Sequence, residues 1–179
     1  MSINFSHEFS SDIDEAVCTS IESNFKPKRL YGDVEFRNNS YVPKVDLYVA
    51  GFPCQPFSSA GKQQGFGDSR GSVFYSIIDY LFVNKPKVFI LENVKGFTTL
   101  NQGKCRKEAI EKLSELGSYN IHHKVLNTKD HGIPQNRERW YCVGIRTDVD
   151  NQSFSFPDNI TCQHISKFLN ADITSDSTA

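Results

Sequence analysis

Apolar residues follow two alternating patterns along the chain. Two segments of strand length are apolar almost throughout, VDLYVAGF at 45–52 and KVFILEN at 87–93. Elsewhere apolar residues recur at spacings of three and four, which is the period of a helix with one buried face. Helices are predicted around 13–25 before Pro27, around 74–82 before Pro86, and around 105–116 before Gly117. The pattern therefore predicts strands that alternate with helices.

Three further segments complete this pattern. SINFSHEF at 2–9 is predicted to be a short strand that ends in an acid, and IHHKVLN at 121–127 and RWYCVGIR at 139–146 are predicted to be two strands joined by a turn-rich loop. Continuous apolar strands that alternate with helices predict an α/β fold with a mainly parallel sheet covered on both faces. The last two strands are predicted to be antiparallel, because their loop is too short for a crossover.

Four residues with useful chemistry lie at predicted strand ends. Cys54 follows the strand at 45–52, Glu92 and Asn93 end the strand at 87–93, and Glu8 closes the first strand. Ligands of open α/β sheets bind beyond the carboxyl ends of the strands. We therefore expect these four side chains to line one edge of the sheet.

Composition narrows the class of protein. The 179 residues fit one domain. No segment approaches the roughly 18 apolar residues of a membrane span, and the N-terminus lacks the pattern of a secretory signal, so an intracellular location in cytoplasm or nucleus is expected. The net charge of −1 excludes binding of nucleic acid by bulk positive charge. The five cysteines are odd in number and contain no C-x-x-C pair, which argues against a disulfide framework or a metal site.

The stretch GFPCQPFS holds a cysteine between two prolines. Pro53 and Pro56 each fix a backbone φ angle and restrict the residue before them, so Cys54 is expected on a stiff loop at the ligand edge. A buried cysteine is usually a small hydrophobic residue, an interpretation that suits Cys18, Cys105 and Cys142 in their apolar elements. For Cys54 the local sequence leaves a structural and a functional role equally open.

Glu92 and two arginines favour the functional role. Glu92 ends an apolar strand, where a carboxyl group is costly unless it is paired or takes part in chemistry, and there it could donate a proton. Arg137 and Arg139 lie two residues apart where the chain enters a strand, so alternation places both on one face. They could grip a carbonyl or a phosphate by paired donors, or form an ordinary surface pair.

Four motifs together resemble the cytosine-5 DNA methyltransferase family. They are GFPCQPFS (51–58), GKQQGFGDSRG (61–71), ENV (92–94) and GIPQNRERW (132–140). The resemblance implies a Rossmann-like, S-adenosylmethionine-dependent methyltransferase fold and a restriction-modification setting. It also implies methyl transfer to carbon 5 of a cytosine in double-stranded DNA, through a covalent Cys54 adduct, with the target base flipped out of the duplex.

The resemblance implies a role for individual residues. Cys54 would be the nucleophile, Glu92 the acid that grips the base, Arg139 the donor to the cytosine carbonyl, and Arg137 a support for the thiol loop. Asn93 would shape the turn beside Glu92. The cofactor would be held by Glu8 at the ribose hydroxyls, by Asp33 at the adenine amino group, and by Pro53. The residues implied for the loop that closes over DNA are Gln55, Ser58, Ser59, Lys62 and Arg70.

The chain also departs from the family pattern. We find no Gly-rich cofactor loop before SINFSHEF, so the sheet is expected to lack its first, central strand and to have two unpaired edges. Residues 1–149 are expected to form a partial catalytic domain, and 150–179 a polar tail leading toward an absent target-recognition region. Activity of the chain alone is therefore doubtful; a fragment, a half of a split enzyme completed by a second chain, and a degenerate copy remain open explanations.

Three other functions compete with the leading one. An RNA cytosine-5 methyltransferase would share the fold. A subunit without activity would keep the fold and bind DNA or a partner. A thiol-redox protein is disfavoured, because no C-x-x-C partner is present for Cys54.

Overall fold

The computed structural model describes residues 4–53, 72–163 and 165–168. Three helices and six strands are present in this part of the chain. The helices are α1 (Glu15–Asn24), α2 (Ser72–Asn84) and α3 (Lys104–Glu115), and the strands are β1 (Phe9–Ser11), β2 (Arg29–Tyr31), β3 (Leu47–Gly51), β4 (Val88–Val94), β5 (Tyr119–Asn127) and β6 (Glu138–Arg146). None of the described helices is long and apolar enough to cross a membrane.

The described strands form two sheets. β1 and β2 make a parallel pair, and the larger sheet has the order β3-β4-β6-β5. β3 and β4 are parallel, whereas β6 is antiparallel to both of its neighbours. The predicted α/β class and the antiparallel hairpin are confirmed, and the four pairings divide evenly between parallel and antiparallel. The expected gap in the sheet lies between β1 and β3, since no described strand pairs with the free edge of either.

Local sequence explains where the helices begin and end. The Asp14 carboxylate accepts hydrogen bonds from the amides of Ala16 and Val17, which caps the first turn of α1. α1 ends before Lys26, a residue with a left-handed φ of 45°, and Pro27 then prevents its continuation. α3 ends before Gly117, whose φ of 65° favours glycine.

The core lies under β4 and β6. Phe89, Leu91, Trp140 and Cys142 from these strands are at most 1% exposed, and α2 and α3 pack buried apolar residues against them. α1 contrasts with this arrangement, because it contains no buried residue. The core is therefore concentrated on one side of the molecule.

Two details of the first segment differ from expectation. The first strand begins at Phe9 and not at residue 2, so Glu8 precedes the strand and does not end it. A strand needs a partner, and only Phe9–Ser11 are in register with β2. β2 itself was not predicted, because three residues, RLY, are too few to show a period.

Candidate active site

The sheet register brings the ENV and QNRERW motifs together. Gly51 at the end of β3 lies opposite Glu92 on β4, and Val94 on β4 lies opposite Arg139 on β6. Glu92 and Arg139 are therefore diagonal neighbours across an antiparallel pair, within reach of long side chains. The Phe52 amide also donates to the Glu92 carbonyl (3.4 Å), which extends the β3–β4 pairing one residue toward Cys54.

Glu92 and Arg139 form an ion pair at this edge. The Arg139 Nε atom lies 2.8 Å from Glu92 Oε1, and the two side chains are 20% and 32% exposed, respectively. The second carboxylate oxygen, Oε2, faces Gly51, where an added Cβ would lie 3.5 Å away. Arg139 also donates from Nη1 to the Glu138 carbonyl at 2.9 Å. The pair is partly desolvated and still open to a ligand.

Asn93 ties β4 to the segment that leads into Cys54. Its side chain is 2% exposed, and its Nδ2 donates to the Phe52 carbonyl at 3.0 Å. Its Oδ1 accepts from the Val94 amide at 2.8 Å. The Phe52 carbonyl belongs to the peptide bond to Pro53, so Asn93 fixes the backbone just before the expected nucleophile.

An aromatic cluster supports the same segment, and the sequence did not reveal it. The Phe52 ring packs edge-on against Phe97 (centroids 5.4 Å apart) and Trp140 (6.4 Å), and at 49° to Phe74 (5.1 Å). All four side chains are at most 6% exposed. Phe52 and Trp140 adjoin the motif residues Cys54 and Arg139, but a contact between residues so distant in sequence has no local signal.

Arg137 is placed differently from Arg139. It lies one residue before β6 and is exposed. Its amide donates to Asn127 Oδ1 (3.2 Å) and its carbonyl accepts from the Thr128 amide (3.1 Å). Within the described residues, none forms a hydrogen bond or ion pair with its guanidinium. The structure thus joins only one of the two predicted arginines to Glu92.

One of the predicted cofactor residues, Glu8, lies at the gap in the sheet. A cavity of about 1020 Å³ opens between β1 and β3, and Glu8, Val34 and Gly51 are among its lining residues. The Glu8 Oε1 atom accepts from Lys28 Nζ at 2.6 Å, and hydrogen bonds from Lys28 and Ser6 lower the pKa of this carboxyl group. The Asp33 carboxylate accepts from the Glu35 amide (2.8 Å). Pro53 is exposed.

The predicted nucleophile and loop contacts lie outside the described residues: Cys54, Gln55, Ser58, Ser59, Lys62 and Arg70. The burial expected for three other cysteines is confirmed for Cys105 and Cys142, whereas Cys18 is only half-buried, because α1 contains no buried residue. Cys105 and Cys142 are 3% and 0% exposed, and burial raises the pKa of Cys142 to about 12. Burial likewise raises the pKa of the Cys105 thiol. No cluster of metal-ligating side chains occurs in the part of the chain that the structure describes.

Solved structures with a similar fold are methyltransferases. DNMT2 of Spodoptera frugiperda superposes with a TM-score of 0.63 at 25% sequence identity, over 87% of this chain and 47% of that chain. Dnmt2 methyltransferase of S. pombe gives a TM-score of 0.61 at 21% identity, over 93% of this chain and 48% of that chain. The second likeness, at low identity, concerns the fold alone. The predicted methyltransferase fold is therefore confirmed.

Sequence relatives give the family. Type II methyltransferase M.HaeII of Haemophilus aegyptius is 46% identical over 165 residues, 92% of this chain and 50% of the relative. M.HhaI of Haemophilus parahaemolyticus is 42% identical over 151 residues, 83% of this chain and 45% of the relative. The chain thus spans about half the length of these curated relatives. A model of the C-5 cytosine-specific DNA methylase family matches residues 1–177, and the chain belongs to that family.

Proposed function

We propose that this chain carries the base-activating half of a DNA cytosine-5 methyltransferase site. The observation that supports this most is the Glu92–Arg139 ion pair, which lies at the end of β3 where the chain continues into Cys54. One carboxyl group, one guanidinium and one thiol are the groups needed to bind a pyrimidine edge and add a nucleophile to its ring. The type II methyltransferases among the relatives support DNA as the substrate.

Cys54 supplies the nucleophile in this proposal. Its thiolate forms a bond to carbon 6 of the cytosine, and a proton delivered to ring nitrogen 3 makes carbon 5 electron-rich. S-Adenosylmethionine, when bound, supplies the methyl group that carbon 5 receives. Ring nitrogen 3 then returns its proton to Glu92, and loss of the carbon 5 proton to a base breaks the bond to sulfur, restores the aromatic ring and frees the Cys54 thiolate.

Glu92 and Arg139 hold the base during this addition. Glu92, in its protonated form, donates to ring nitrogen 3 and accepts from the amino group, while Arg139 donates to the ring carbonyl. Their 2.8 Å contact keeps both groups in place before a base arrives, which lowers the cost of ordering them. Asn93 positions the backbone before Cys54 through the Phe52 carbonyl. Arg137 supports the thiol loop in this proposal.

The residues near the gap fit part of the cofactor. Carboxylates suit the hydroxyl and amino groups of an adenosine, and Glu8 lines the cavity with its Oε2 outside the Lys28 contact. We assign Glu8 to the ribose hydroxyls, Asp33 to the adenine amino group and Pro53 to a packing contact. The Asp33 carboxylate has one oxygen bonded to the Glu35 amide and a second oxygen to offer.

DNA and a second polypeptide are the proposed partners. Gln55, Ser58, Ser59, Lys62 and Arg70 would contact the duplex from which the target cytosine is flipped. Further motifs from another segment or chain would complete the cofactor and target-recognition parts. The division into a catalytic part at 1–149 and a tail at 150–179 belongs to the same proposal.

Trapping of the covalent adduct tests the proposal. The chain, alone and together with any co-encoded neighbouring chain, is mixed with a duplex that contains 5-fluorocytosine and with S-adenosylmethionine. Fluorine at carbon 5 blocks the final elimination, so a denaturation-resistant protein–DNA band is expected. Cys54→Ser should abolish this band, and Cys162→Ser is the matched control that should keep it.

The rate of trapping in the same assay tests the roles proposed for Glu92 and Arg139. Glu92→Gln and Arg139→Ala are each expected to slow trapping by about 100-fold or more, within the range for loss of an acid or of an electrostatic contact. A band that survives Cys54→Ser, or the absence of a band in both protein preparations, would refute the proposal. Trapping on an RNA oligonucleotide but not on DNA would favour the RNA enzyme instead.

A further inference from the structure

The outer face of α2 is apolar, although it is exposed to solvent. Apart from four positions, every residue of this helix is apolar or aromatic, and the four polar residues are Ser72, Ser76, Asp79 and Asn84. The inner side of α2 packs in the core, yet Tyr75, Phe82 and Val83 are 37%, 63% and 37% exposed. A helix that is apolar all round is normally covered on all sides. The sequence of α2 therefore indicates a second face that becomes covered.

Tyr75 and Phe82 define this outer face. They lie seven residues apart, which is almost two full turns, so their side chains leave the helix in the same direction about 10 Å apart. The half-buried Ile78 lies between them. Asp79, the only charged residue of α2, accepts a hydrogen bond from Asn39 Nδ2 at 2.8 Å, so its carboxylate is engaged beside the apolar residues. We call Tyr75, Ile78 and Phe82 the α2 patch.

α3 lies beside α2 on the same face of the large sheet. β3, β4 and β5 all run in one direction, because β6 is antiparallel to both β4 and β5. α2 connects β3 to β4 and α3 connects β4 to β5, and right-handed crossovers that move the same way across a sheet place their helices on one face. Burial raises the pKa of Tyr75, and the Glu108 carboxylate on α3 raises it further. The two helices therefore present neighbouring parts of one outer surface.

The outer side of α3 carries a row of four charged residues. All four are exposed, and they lie on the side of the helix away from the buried Cys105, Ala109 and Leu113. Successive members are three or four residues apart, so each is a neighbour of the next along the helix surface. We call these residues the α3 row: Lys104, Lys107, Glu111 and Glu115.

The order of charges along α3 opposes its helix dipole. Acids stabilise the start of a helix and bases its end, and Asp14 occupies such a favourable position at the start of α1. α3 has no acid in its first turn and begins instead with Lys104, Arg106 and Lys107. Among the described residues, Lys107 pairs only with Glu111, at 3.8 Å between exposed side chains, which is a weak contact. The arrangement is unfavourable within one chain, which indicates that a partner outside the chain stabilises it.

A second copy of the chain in antiparallel orientation complements the α3 row along its whole length. The row reads Lys, Lys, Glu, Glu from the start of the helix to its end, so a copy that runs the opposite way presents Glu to Lys at every position. Lys104 would meet Glu115 of the other copy, and Lys107 would meet Glu111 of the other copy. A two-fold axis that crosses the helices repeats both contacts and also brings the two α2 patches together.

We propose that the α2 patch and the α3 row form the interface of a two-fold symmetric homodimer. The patch supplies apolar area to bury, and the row fixes the antiparallel orientation of the two copies. DNA fits this surface less well, because Glu111 and Glu115 would repel phosphates and the α2 patch would stay exposed. The inference does not rest on the proposed chemistry, because no residue of this interface belongs to the candidate active site.

Sedimentation equilibrium of the 179-residue chain tests the self-association. We expect a reversible equilibrium between the 20.3 kDa chain and its dimer at micromolar concentrations. Phe82→Glu places a charge in the patch of both copies and should raise the dissociation constant about 100-fold, which corresponds to about 2.8 kcal/mol. Phe25→Glu is the matched control, because Phe25 is 65% exposed at the end of α1 and Phe82 is 63% exposed. This control should leave the dissociation constant within about twofold, and circular dichroism checks that both variants fold.

An exchange of charges within the α3 row tests the orientation of the two copies. A chain with Lys104→Glu and Lys107→Glu has an entirely acidic row, and a chain with Glu111→Lys and Glu115→Lys has an entirely basic row. Each variant alone should fail to dimerise, because like charges then face each other. An equimolar mixture of the two should form a heterodimer, which native mass spectrometry identifies by its mass. Added salt should weaken this heterodimer, because its ion pairs lie at an exposed surface.

The remaining outcomes overturn the inference. A chain that stays monomeric at every concentration would refute it, as would a dimer that tolerates Phe82→Glu or is lost equally in Phe25→Glu. Row variants that dimerise alone, or a mixture that forms no heterodimer, would refute the antiparallel pairing. A monomeric chain whose affinity for DNA falls on Lys104→Glu and Lys107→Glu would assign the start of α3 to DNA contact instead.

Discussion

The two edges of β3 differ in backbone pairing and side-chain packing. On the β4 side, backbone pairing, the buried Asn93 and the cluster of Phe52, Phe97 and Trp140 surround the end of the strand. On the β1 side there is a cavity lined by exposed apolar side chains. We call the edge of β3 that pairs with β4 its finished side, and the edge that faces the cavity its open side.

The proposed reaction requires binding of the base and binding of the cofactor, and the groups proposed for these two tasks lie on different sides of β3. The groups proposed to bind and activate the base, Glu92 and Arg139, are already in contact within the finished part. Of the groups proposed for the cofactor, Glu8 lines the cavity on the open side, and Asp33 precedes Val34, which also lines it. Both carboxylates are bonded to neighbours in their own segment. The proposed base site and the proposed cofactor site thus lie in differently packed parts of the fold, and we expect the two parts to differ in local stability.

Truncation of Trp140 should give the largest effect. Trp140→Ala removes a fully buried ring from the finished side and is expected to cost about 3–5 kcal/mol in the free energy of unfolding. Leu47→Ala, on the open side, should cost less than about 0.5 kcal/mol. Urea denaturation measures both. Equal losses in the two variants would remove the contrast between the two sides.

A methyl group added on β6 should have a smaller effect. Gly144→Ala would place its Cβ within the van der Waals envelope of the buried Phe89 ring, so an overpacking cost of about 1–3 kcal/mol is expected. Gly96→Ala is the control, since nothing lies within 4 Å of a Cβ there. Thermal unfolding of the two variants is the measurement, and an unshifted midpoint for Gly144→Ala would contradict the close packing of Phe89 on Gly144.

The rates at which cysteine thiols are alkylated allow the finished and open sides to be compared without a substitution. Cys142 is fully buried with a pKa raised to about 12, so it should resist iodoacetamide at pH 8 in the folded protein. Cys18 on α1 is half-buried and should react first of the two, although burial and nearby acids raise its pKa as well. Mass spectrometry of peptides after timed alkylation reads both sites. Equal rates for both sites would mean that the core side opens as readily as the gap side.

The Lys28–Glu8 pair should give the smallest effect. A hydrogen bond from Lys28 is the main cause of the lowered pKa of Glu8, so Lys28→Gln should raise that pKa toward its ordinary value. The pair stabilises the fold above the unfolded-state pKa of Glu8, and this contribution is lost as pH falls through the lowered folded-state pKa. NMR titration of the Glu8 carboxyl carbon is the measurement, with Lys26→Gln as the control. An unchanged titration would show that Lys28 does not hold Glu8 in solution.

The long elements could be predicted from the sequence, because burial of one or both faces of a helix or strand determines where apolar residues occur along it. β3, β4 and α2 each lie within two residues of their predicted bounds, and α2 ends before Pro86 as expected. β2 and the true start of β1 were missed, because pairing between two three-residue strands is a property of register and leaves no pattern in either segment.

The motifs predict Glu92, Asn93 and Arg139 as site residues, but they do not predict the contacts that connect these residues to the rest of the fold. The hydrogen bond from Asn93 to the Phe52 carbonyl, for example, spans 41 residues. Packing of Phe97 and Trp140 on Phe52 is likewise a contact between distant segments. Arg137 shows the converse: it stands in the same motif as Arg139, but its exposed position before β6 keeps it apart from Glu92.

Gly144 also constrains how β6 pairs with β4 at the candidate active site. It lies directly opposite Phe89, and only a residue without a side chain leaves room for that ring. If β6 slipped by one residue, every side chain would change face. A slip by two would keep the faces but bring Cys142 or Arg146 against the ring. The glycine therefore fixes the register of β6 against β4. Arg139 lies five residues before Gly144 on β6, so this packing constraint in the core also places Arg139 beside Glu92 at the edge of the sheet.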